Sequence, residues 1–336
     1  MKALVTGGGG FIGHHLVARL LDDGHEVRVL DNFSTGRRER LAGADIELVE
    51  GDLRSYERVH TAVRGVETVF HLGAMPSVPR SIQDPLTSNA VNVDGTLHVL
   101  LASRDEDVRR VVFASSSSVY GSNPALPKSE LDLPMPVSPY GVSKLAAEQH
   151  CAAFHAVYGI ETVALRLFNV FGPRQDPLSQ YAAVVPRFIS AMLQGDQPEI
   201  YGDGMQSRDF TFVADVVNAF VQASVAPDAA GLTFNVSCGH ETTIVGLVSM
   251  LNTIMGIEIA PRFQPARDGE VRQSMGEGGR ANAVLGWTPS WTVDSGLRET
   301  VVAYHDERAR ADREVAAPQT QVNGVQSESN NPARRP

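Results

Sequence analysis

The sequence has little cysteine, few aromatic residues, no long hydrophobic run and fewer basic than acidic residues. Only Cys151 and Cys238 occur in 336 residues, too few for a disulfide framework, so we expect a reducing compartment, the cytoplasm. No segment is apolar over the length that a membrane span requires. The formal net charge is −10, which argues against a partner that is a nucleic acid, because such binders carry a basic surface.

The remaining composition is that of a globular protein. Hydrophobic residues make up 43% of the chain and charged residues 20%, so a large core is expected. The length predicts about two domains, or one large α/β domain with an appended lobe. The N-terminal sequence MKALVTGGGGFIG reads as a strand that enters a turn and not as a signal peptide. The histidines and the two cysteines show no metal-ligand spacing, so no metal is expected.

Alternating strands and helices predict an α/β fold. Six β-rich runs are separated mostly by helix-period segments such as Phe11–Asp22. The runs are Ala3–Thr6, Val27–Leu30, Ile46–Val49, Thr68–His71, Arg110–Ala114 and Thr162–Leu167. This order predicts a doubly wound parallel sheet of the Rossmann type, covered on both faces.

The alternation ends near residue 170, where shorter segments rich in Gly and Pro follow. We therefore predict a nucleotide-binding domain over residues 1–168 plus about 209–238. A smaller α/β lobe for the substrate is expected over about 169–208 plus 239–314. Residues 315–336 are rich in Gln, Asn, Ser and Pro and are predicted to form a disordered tail.

Three glycines follow the first predicted strand. Gly7, Gly10 and Gly13 form G-x-x-G-x-x-G immediately before the helix that begins near Phe11. This spacing lets the backbone turn tightly and approach a pyrophosphate at the helix N-terminus. A flexible turn is the alternative for a glycine triplet alone, but the flanking strand and helix favour a dinucleotide site.

Acidic residues end the second and third predicted strands. Asp31 stands 18 residues after Gly13, where a carboxylate accepts the ribose hydroxyls of adenosine and repels a 2′-phosphate, so NAD is favoured over NADP. Arg37 and Arg38 are interpreted as a solvated turn and not as a phosphate site. Asp52 is placed at the height of the adenine ring, with a helix cap as the alternative.

The segment SPYGVSK places Tyr140 and Lys144 four residues apart, on one face of a helix capped by Ser138. A tyrosine base near neutral pH needs its pKa lowered by roughly 3 units from about 10. Lys144, the helix N-terminus and an oxidised nicotinamide all act in that direction. The alternative is that Tyr140 packs on the core and Lys144 is exposed.

Four serines, Ser115 to Ser118, follow the fifth predicted strand at the carboxyl edge of the sheet. Ligands bind at that edge in open α/β folds, and hydroxyl groups there bind a substrate alcohol without adding charge. For Ser115 and Ser117 we favour the simpler interpretation that they only fill the turn.

Together these motifs resemble a family. TGGGGFIGHHL, LDNFSTG, the four serines before VYG, SPYGVSK, LRLFNVFGPRQDP and GDGMQSRDFTFVADV are similar to the extended short-chain dehydrogenase/reductases of the NAD-dependent epimerase/dehydratase family. Within it, the UDP-glucose and UDP-N-acetylglucosamine 4-epimerases are the most similar. The resemblance covers roughly residues 1 to 310.

The resemblance implies roles for individual residues. Tyr140 becomes the catalytic base, Lys144 anchors the nicotinamide ribose, and Ser116 is the catalytic serine. HLGAMPSV resembles the family's HLAAxxSV, although Gly73 replaces the usual Ala and Pro76 is less common. The implied NAD-binding residues are Gly7, Gly10, Phe11, Ile12, Gly13, Asp31, Asn32, Asp52, Leu53, Leu72, Ala74, Asn92, Tyr140 and Lys144.

The resemblance also implies a sugar-nucleotide site. Its residues are Ser77, Ser116, Ser118, Asn169, Arg208, Arg267, Glu270 and Ser274. Asn169 and Arg208 are expected at the diphosphate, and Arg267 and Glu270 at the uridine end, with Glu where the family has Asp. Ser274 is small where some glucose-restricted relatives carry Tyr, so UDP-GlcNAc and UDP-GalNAc are expected as substrates besides UDP-glucose and UDP-galactose.

The implied activity is that of an isomerase, which inverts C4 of the sugar through a transient 4-keto intermediate while NAD takes up and returns a hydride. A 4,6-dehydratase and a UDP-glucuronate decarboxylase or epimerase are the alternatives. Ser117 and Ser118 stand where dehydratases carry Asp-Glu, and Asn169 and Asp176 disfavour glucuronate. A non-catalytic NAD-binding regulator is a second alternative.

Relatives commonly form homodimers through two helices, which implies a homodimer here through helices near Pro85–Ser103 and Ser138–Tyr158. The apolar stripe of Leu145, Ala146 and Cys151 equally fits internal core, so this alternative stays open.

Overall fold

The computed structural model describes residues 1–177, 183–266 and 271–316, with side chains to residue 310. Its strands are β1 Lys2–Thr6, β2 Glu26–Asp31, β3 Ile46–Glu50, β4 Thr68–His71, β5 Arg110–Ser116, β6 Glu161–Leu167, β7 Val170–Phe171, β8 Glu199–Tyr201, β9 Ser207–Arg208, β10 Thr211–Phe212, β11 Thr233–Val236, β12 Thr242–Thr243 and β13 Arg262–Gln264. Its helices are α1 Phe11–Asp22, α2 Tyr56–Val63, α3 Val78–Gln83, α4 Pro85–Asn89, α5 Gly95–Asp105, α6 Pro139–Tyr158, α7 Val184–Leu193, α8 Val213–Val225, α9 Ile244–Met255 and α10 Val293–Ala316.

Seven parallel strands form the central sheet, in the order β11-β6-β5-β4-β1-β2-β3. The six predicted strands are present within two residues of their expected limits, and the predicted Rossmann fold class is confirmed. The sheet also contains β11, whose four residues carry too short a pattern to be predicted as a strand. The chain runs outward from β1 through β2 to β3 and then returns to β4, so β1 and β4 flank the switch point where ligands bind.

Helices cover both faces of the sheet, as a parallel sheet requires. On one face, Leu16 of α1 and Phe220 of α8 pack against strand residues such as Phe70. On the other face, the helices α2, α5 and α6 pack against β1, β4 and β5. All seven residues of β5 are buried, which explains the uninterrupted apolar run in its sequence.

A third core lies beside the sheet and contains residues of β7, α7, α9 and α10, including Phe188, Leu247 and Leu297. It corresponds to the predicted substrate lobe, whose limits stay a prediction. The chain nevertheless returns to the sheet near its end, because Trp287 is packed in the sheet core. The indole N–H of Trp287 donates to the Asp215 carbonyl at 2.9 Å, and this contact joins the lobe to α8.

The C-terminal helix α10 extends to Ala316, so residues 315 and 316, predicted as the start of the tail, are helical. Residues 317–336 lie outside the described part of the chain. Among the described residues, no helix has the length and apolar character to cross a membrane. The cytoplasmic location stays a prediction.

Candidate functional site

The glycine loop between β1 and α1 is packed so closely that side chains are excluded. Gly7 has a φ of +73°, and a Cβ at Gly13 would lie 2.1 Å from the Gly7 carbonyl oxygen. Helix α1 therefore starts directly above the end of β1, with Phe11 and Ile12 in its first turn. Its N-cap, Gly10, has no side chain to accept the first N–H groups. The amides and the helix dipole suit an anion such as a pyrophosphate.

Asp31 at the end of β2 fixes this loop from the side. Its carboxylate accepts hydrogen bonds from the backbone N–H of Gly9 at 2.8 Å and of Phe33 at 2.7 Å. A Cβ at Gly36 would lie 3.0 Å from the same carboxylate, so the backbone closes around it. A carboxylate in this setting fits a ribose diol and disfavours a 2′-phosphate.

The two neighbouring arginines have other partners. Arg37 forms an ion pair with Asp176 at 2.7 Å, and Arg38 pairs with Glu50 and lies over the Phe33 ring. Both arginines are exposed, as expected of a solvated turn.

Asn32, just after β2, and Asp52, just after β3, contact each other. The Asn32 amide donates to the Asp52 carboxylate at 2.8 Å, and Arg54 donates two hydrogen bonds to the same carboxylate at 2.9 and 2.8 Å. The Arg54 guanidinium holds the pKa of Asp52 well below its usual range. Ser55, not Asp52, is the N-cap of α2, so the helix-cap alternative does not account for Asp52.

Leu53, Leu72 and Ala74 line the switch point between β1 and β4. Leu72 donates its N–H to the Thr6 carbonyl, and a Cβ at Gly73 would lie 2.9 Å from Leu53 Cδ1. A methyl group at position 73 would therefore contact the end of the buried Leu53 side chain.

Asn92 connects this loop to helix α6. It sits in a π-helical turn, Ala90–Asp94, a feature often found at functional sites. Its side-chain oxygen accepts from Met75 N–H at 2.7 Å, and its amide donates to Ser143 Oγ at 3.0 Å. Ser143 in turn donates to the Tyr140 carbonyl at 2.8 Å. Ser143, which holds this bridging position, was not among the site residues predicted from the sequence.

Ser116, Tyr140 and Lys144 come together at the carboxyl edge of β5. Lys144 Nζ donates to the Ala114 carbonyl at 2.8 Å and lies 6.0 Å from the centre of the Tyr140 ring. A Cβ at Gly141 would lie 2.7 Å from the Ser118 carbonyl, so glycine at this position lets α6 approach the serine turn. Lys144 is only 3% exposed, and the alternative of an exposed lysine is therefore wrong.

Burial controls the titration of both α6 side chains. It lowers the pKa of Lys144 to about 8, against opposing effects of Cys151 and Glu148. It raises the pKa of Tyr140, and a hydrogen bond with Ser116 offsets this rise only in part. Within the chain alone, desolvation of the buried Tyr140 phenolate therefore outweighs the groups that favour it, and the lowering of the Tyr140 pKa by Lys144, the helix N-terminus and an oxidised nicotinamide together stays a prediction.

Among the four serines, the prediction that Ser115 only fills the turn is wrong. Ser115 lies in β5, is 3% exposed and donates a hydrogen bond to the Glu148 carboxylate. Ser117 and Ser118 belong to the short 3₁₀ turn Ser117–Val119. Ser116 Oγ accepts the Ser118 N–H at 3.1 Å, which fixes the catalytic candidate at the end of the strand.

A cavity of about 250 Å³ lies in the lobe and brings Asn169 and Arg208 together. Asn169 has a φ of +24° and donates to the Asp209 carbonyl at 3.3 Å. The same cavity is lined by Arg187 and Tyr201, which the sequence analysis missed. A signal for Arg187 was present, since it is the one charged residue in the apolar helix α7.

The remaining predicted substrate residues are more widely placed. Ser77 caps α3 by accepting the Arg80 N–H at 3.2 Å. Ser274 lies in a segment joined to β9 by a bond from Ser207 N–H to the Arg272 carbonyl, at 3.0 Å. Arg267 and Glu270 lie outside the described residues. No group of three or more His, Cys, Asp or Glu side chains suited to a metal occurs in the part of the chain that the structure describes.

Residues 3–237 match the model of the NAD-dependent epimerase/dehydratase family. The chain belongs to this family. The predicted resemblance to the family is thus confirmed. The predictions that the chain is an enzyme and that it uses NAD are confirmed with it. The glycine loop and the Asp31 carboxylate are of the kind that binds a dinucleotide, and the NAD-binding residues themselves stay a prediction.

Individual relatives are similar over nearly their whole length. The UDP-glucose 4-epimerase of Mycolicibacterium smegmatis is 41% identical over 319 residues, which cover 91% of this chain and 99% of that protein. The UDP-glucose 4-epimerase of Thermotoga maritima, solved with UDP-glucose, has a TM-score of 0.88 at 36% identity, covering 92% and 100% of the two chains. The UDP-N-acetylglucosamine 4-epimerase of Methanobrevibacter ruminantium, solved with UDP-N-acetylmuramic acid, has a TM-score of 0.87 at 37% identity, covering 91% and 98%.

The packing of the glycine loop predicts that Gly13→Ala loses NAD. A methyl group at this position meets the Gly7 carbonyl and must displace the loop from α1. We expect the NAD content of purified protein, measured after acid release, to fall at least about tenfold, the effect of roughly 1.4 kcal/mol. Gly279→Ala is the control, because its nearest contact is a Glu277 side chain at 3.5 Å. Full NAD content in Gly13→Ala would show that the loop does not hold the cofactor.

Proposed function

We propose that the chain is a UDP-sugar 4-epimerase, an isomerase that interconverts UDP-glucose and UDP-galactose through a transient 4-keto sugar. The observation that carries the proposal is the meeting of Ser116, Tyr140 and Lys144 at the carboxyl edge of β5, close to the switch point of the sheet. A hydroxyl, a phenol and an ammonium group so placed are suited to moving the proton of a sugar alcohol.

Each group has a distinct part in this mechanism. Tyr140 accepts the proton of the sugar C4 hydroxyl and later returns it, and Ser116 hydrogen-bonds to both oxygens. Lys144, fixed by the Ala114 carbonyl, holds the nicotinamide ribose and favours the Tyr140 phenolate by its charge. NAD, when bound, supplies the acceptor and donor for the C4 hydride, and its cationic nicotinamide opposes the raised pKa of Tyr140.

The cavity of the lobe supports binding of the UDP diphosphate. Arg208 and Arg187 line it together with Asn169, and guanidinium groups suit oxyanions because they donate in a planar fork. Tyr201 adds an aromatic wall. We assign the diphosphate to the Asn169 and Arg208 side of this cavity.

The rival reactions lack groups to carry them. A 4,6-dehydratase needs ionisable residues for the chemistry at C5 and C6, whereas Ser117 and Ser118 occupy the turn after Ser116. A non-catalytic NAD-binding protein has no need for the buried Lys144 and Tyr140 beside Ser116.

Replacing the proposed base tests the mechanism directly. We expect Tyr140→Phe to lower kcat for UDP-galactose at least about 100-fold, since general acid–base catalysis contributes this much or more. Its melting temperature and NAD content should match the wild type. Tyr158→Phe, at the exposed end of α6, is the control. A kcat near that of the wild type in Tyr140→Phe would remove Tyr140 from the mechanism.

We further propose that N-acetylated sugars are accepted, because Ser274 leaves room for an acetamido group. UDP-glucose, UDP-galactose, UDP-GlcNAc and UDP-GalNAc should all be epimerised when products are identified by NMR. Ser274→Tyr should lower UDP-GalNAc turnover about tenfold or more, the cost of about 1.4 kcal/mol, and spare UDP-galactose. Gln273→Tyr, at the exposed neighbouring residue, is the control. Turnover of UDP-galactose without any of UDP-GalNAc in the wild type would refute this assignment.

We also propose a homodimer that buries apolar side chains of α3, α4 and α6. Ile82 is 63% exposed, Leu86 83% and Val142 53%, and these helices pack side by side. Cys151, by contrast, is buried in the sheet core, so part of the predicted stripe is internal. Light scattering should give twice the chain mass of 36.2 kDa, and Leu86→Glu should give the single mass. A monomeric wild type would refute the dimer.

A further inference from the structure

We infer that Glu148 is a positioning residue for the reaction, because its buried carboxylate ties the strand that carries Ser116 to the helix that carries Tyr140 and Lys144. This inference rests on the proposed function. Neither the reaction chemistry described above nor the cofactor site makes any use of Glu148.

The geometry joins three elements at one carboxylate. Glu148 lies on α6, one turn after Lys144, and is 3% exposed. It accepts a hydrogen bond from Ser115, the residue before Ser116. It also accepts two from Arg166 of β6, at 3.0 and 2.9 Å. Ser115 and Arg166 are themselves register partners across β5 and β6, so the carboxylate fixes the ends of both strands against α6.

Arg166 is held in turn by groups behind it. Its guanidinium lies 4.8 Å from the centre of the Tyr120 ring, and Tyr120 donates to Asn235 of β11 at 2.6 Å. Asn235 donates to the Lys128 carbonyl at 2.8 Å. The carboxylate of Glu148 is therefore the last member of a polar chain that runs under the serine turn to α6.

A buried ion pair of this kind is poorly explained by stability alone. Desolvation of two buried charges costs about as much as their attraction returns, and apolar residues of similar size often stabilise a fold as well. The same two strands carry another pair at their opposite ends, Arg110 with Glu161 at 2.8 Å. There the carboxylate is 35% exposed and far along β5 from Ser116, which makes Glu161 a matched control.

Glu148 also stands out among the groups that face Lys144. On α6 itself these are Tyr140, Glu148 and Cys151, whose thiol is uncharged near neutral pH because burial raises its pKa to about 12. From β4 comes His71, whose pKa burial lowers to about 3. From β5 come only the Ala114 carbonyl and the Phe113 ring. Arg166 of β6 is paired with Glu148, which is the one carboxylate among these groups.

The chain permits a direct measurement, because its only lysines are Lys2, Lys128 and Lys144. In holoenzyme labelled with ¹³C at lysine Cε, three signals report the titrations, and Lys144→Arg identifies one of them. We expect the Lys144 midpoint to fall by about one pH unit in Glu148→Gln, a tenfold loss of proton affinity. In Glu161→Gln it should not move.

Kinetics connect this titration to the reaction. In Glu148→Gln, kcat for UDP-galactose should fall about fivefold at the pH where the wild-type Lys144 is half titrated, because a midpoint one unit lower leaves about a fifth as much protonated Lys144, while KM changes less than threefold. The alkaline limb of the kcat profile should shift with the NMR midpoint. Because Glu148→Gln leaves Arg166 without its partner, Glu148→Gln/Arg166→Met provides a second test. It should regain the melting temperature and keep the shifted midpoint.

The outcomes separate this inference from the proposed function. An unchanged Lys144 midpoint in Glu148→Gln, or a midpoint restored in the double variant, overturns the positioning role. A shifted Lys144 midpoint in Glu148→Gln, together with a wild type that turns over UDP-galactose, supports it. A shifted midpoint in Glu148→Gln, when the wild type turns over no UDP-hexose, overturns the proposed function and leaves the effect of Glu148 on Lys144 standing.

Discussion

The hydrogen bond from the Lys144 ammonium group to the Ala114 carbonyl is the contact on which the site depends. It fixes the start of α6 to the end of β5 at 2.8 Å, and it does so in a region where Lys144 is almost fully buried. Tyr140 lies one turn earlier on the helix and Ser116 two residues later on the strand. This bond therefore holds the helix that carries Tyr140 against the strand that carries Ser116.

Burial at the carboxyl edge of the sheet also disfavours the charged forms of the side chains there. His71 is held neutral between Thr6 and Thr96, with hydrogen bonds of 2.7 and 3.0 Å. Burial raises the pKa of Tyr140 and lowers that of Lys144. Within such surroundings a single additional charge has a large influence on proton transfer, because little solvent is present to screen it. The cationic nicotinamide brought by NAD is such a charge, and so is the carboxylate of Glu148.

Much of the fold was predictable because its signals are local. The glycine spacing follows from sterics that act within a few residues, and the distance between Gly13 and the Gly7 carbonyl shows why no other residue fits. The capping of α6 by Ser138 and the i, i+4 placement of Tyr140 and Lys144 are equally local. Buried strands such as β5 are recognisable in the sequence as apolar runs. The short β11 is not, since four residues carry too little pattern.

What the sequence could not predict depends on partners far along the chain. Ser115 seemed to be turn filler because Glu148, its acceptor, lies 33 residues away. The space beside Gly73 is limited by Leu53, which lies 20 residues earlier on a different strand connection. Arg187 of α7 lines the cavity of Asn169 and Arg208 beside β8, where its guanidinium donates to the Glu199 carbonyl at 3.2 Å. Trp287 contributes to the sheet core, as Ala281 and Leu285 do, although Trp291 packs in the core beside the sheet. Such contacts arise from tertiary packing, which periodicity does not encode.

The central claim is that the hydrogen at sugar C4 leaves and returns within the closed site. The most direct measurement uses UDP-galactose carrying deuterium at C4, incubated with the holoenzyme in ordinary water. If the account is right, the product is UDP-glucose that retains the deuterium at C4, as seen by mass spectrometry and NMR. Product in which this deuterium has been replaced by hydrogen from water would contradict it, as would the recovery of UDP-galactose alone.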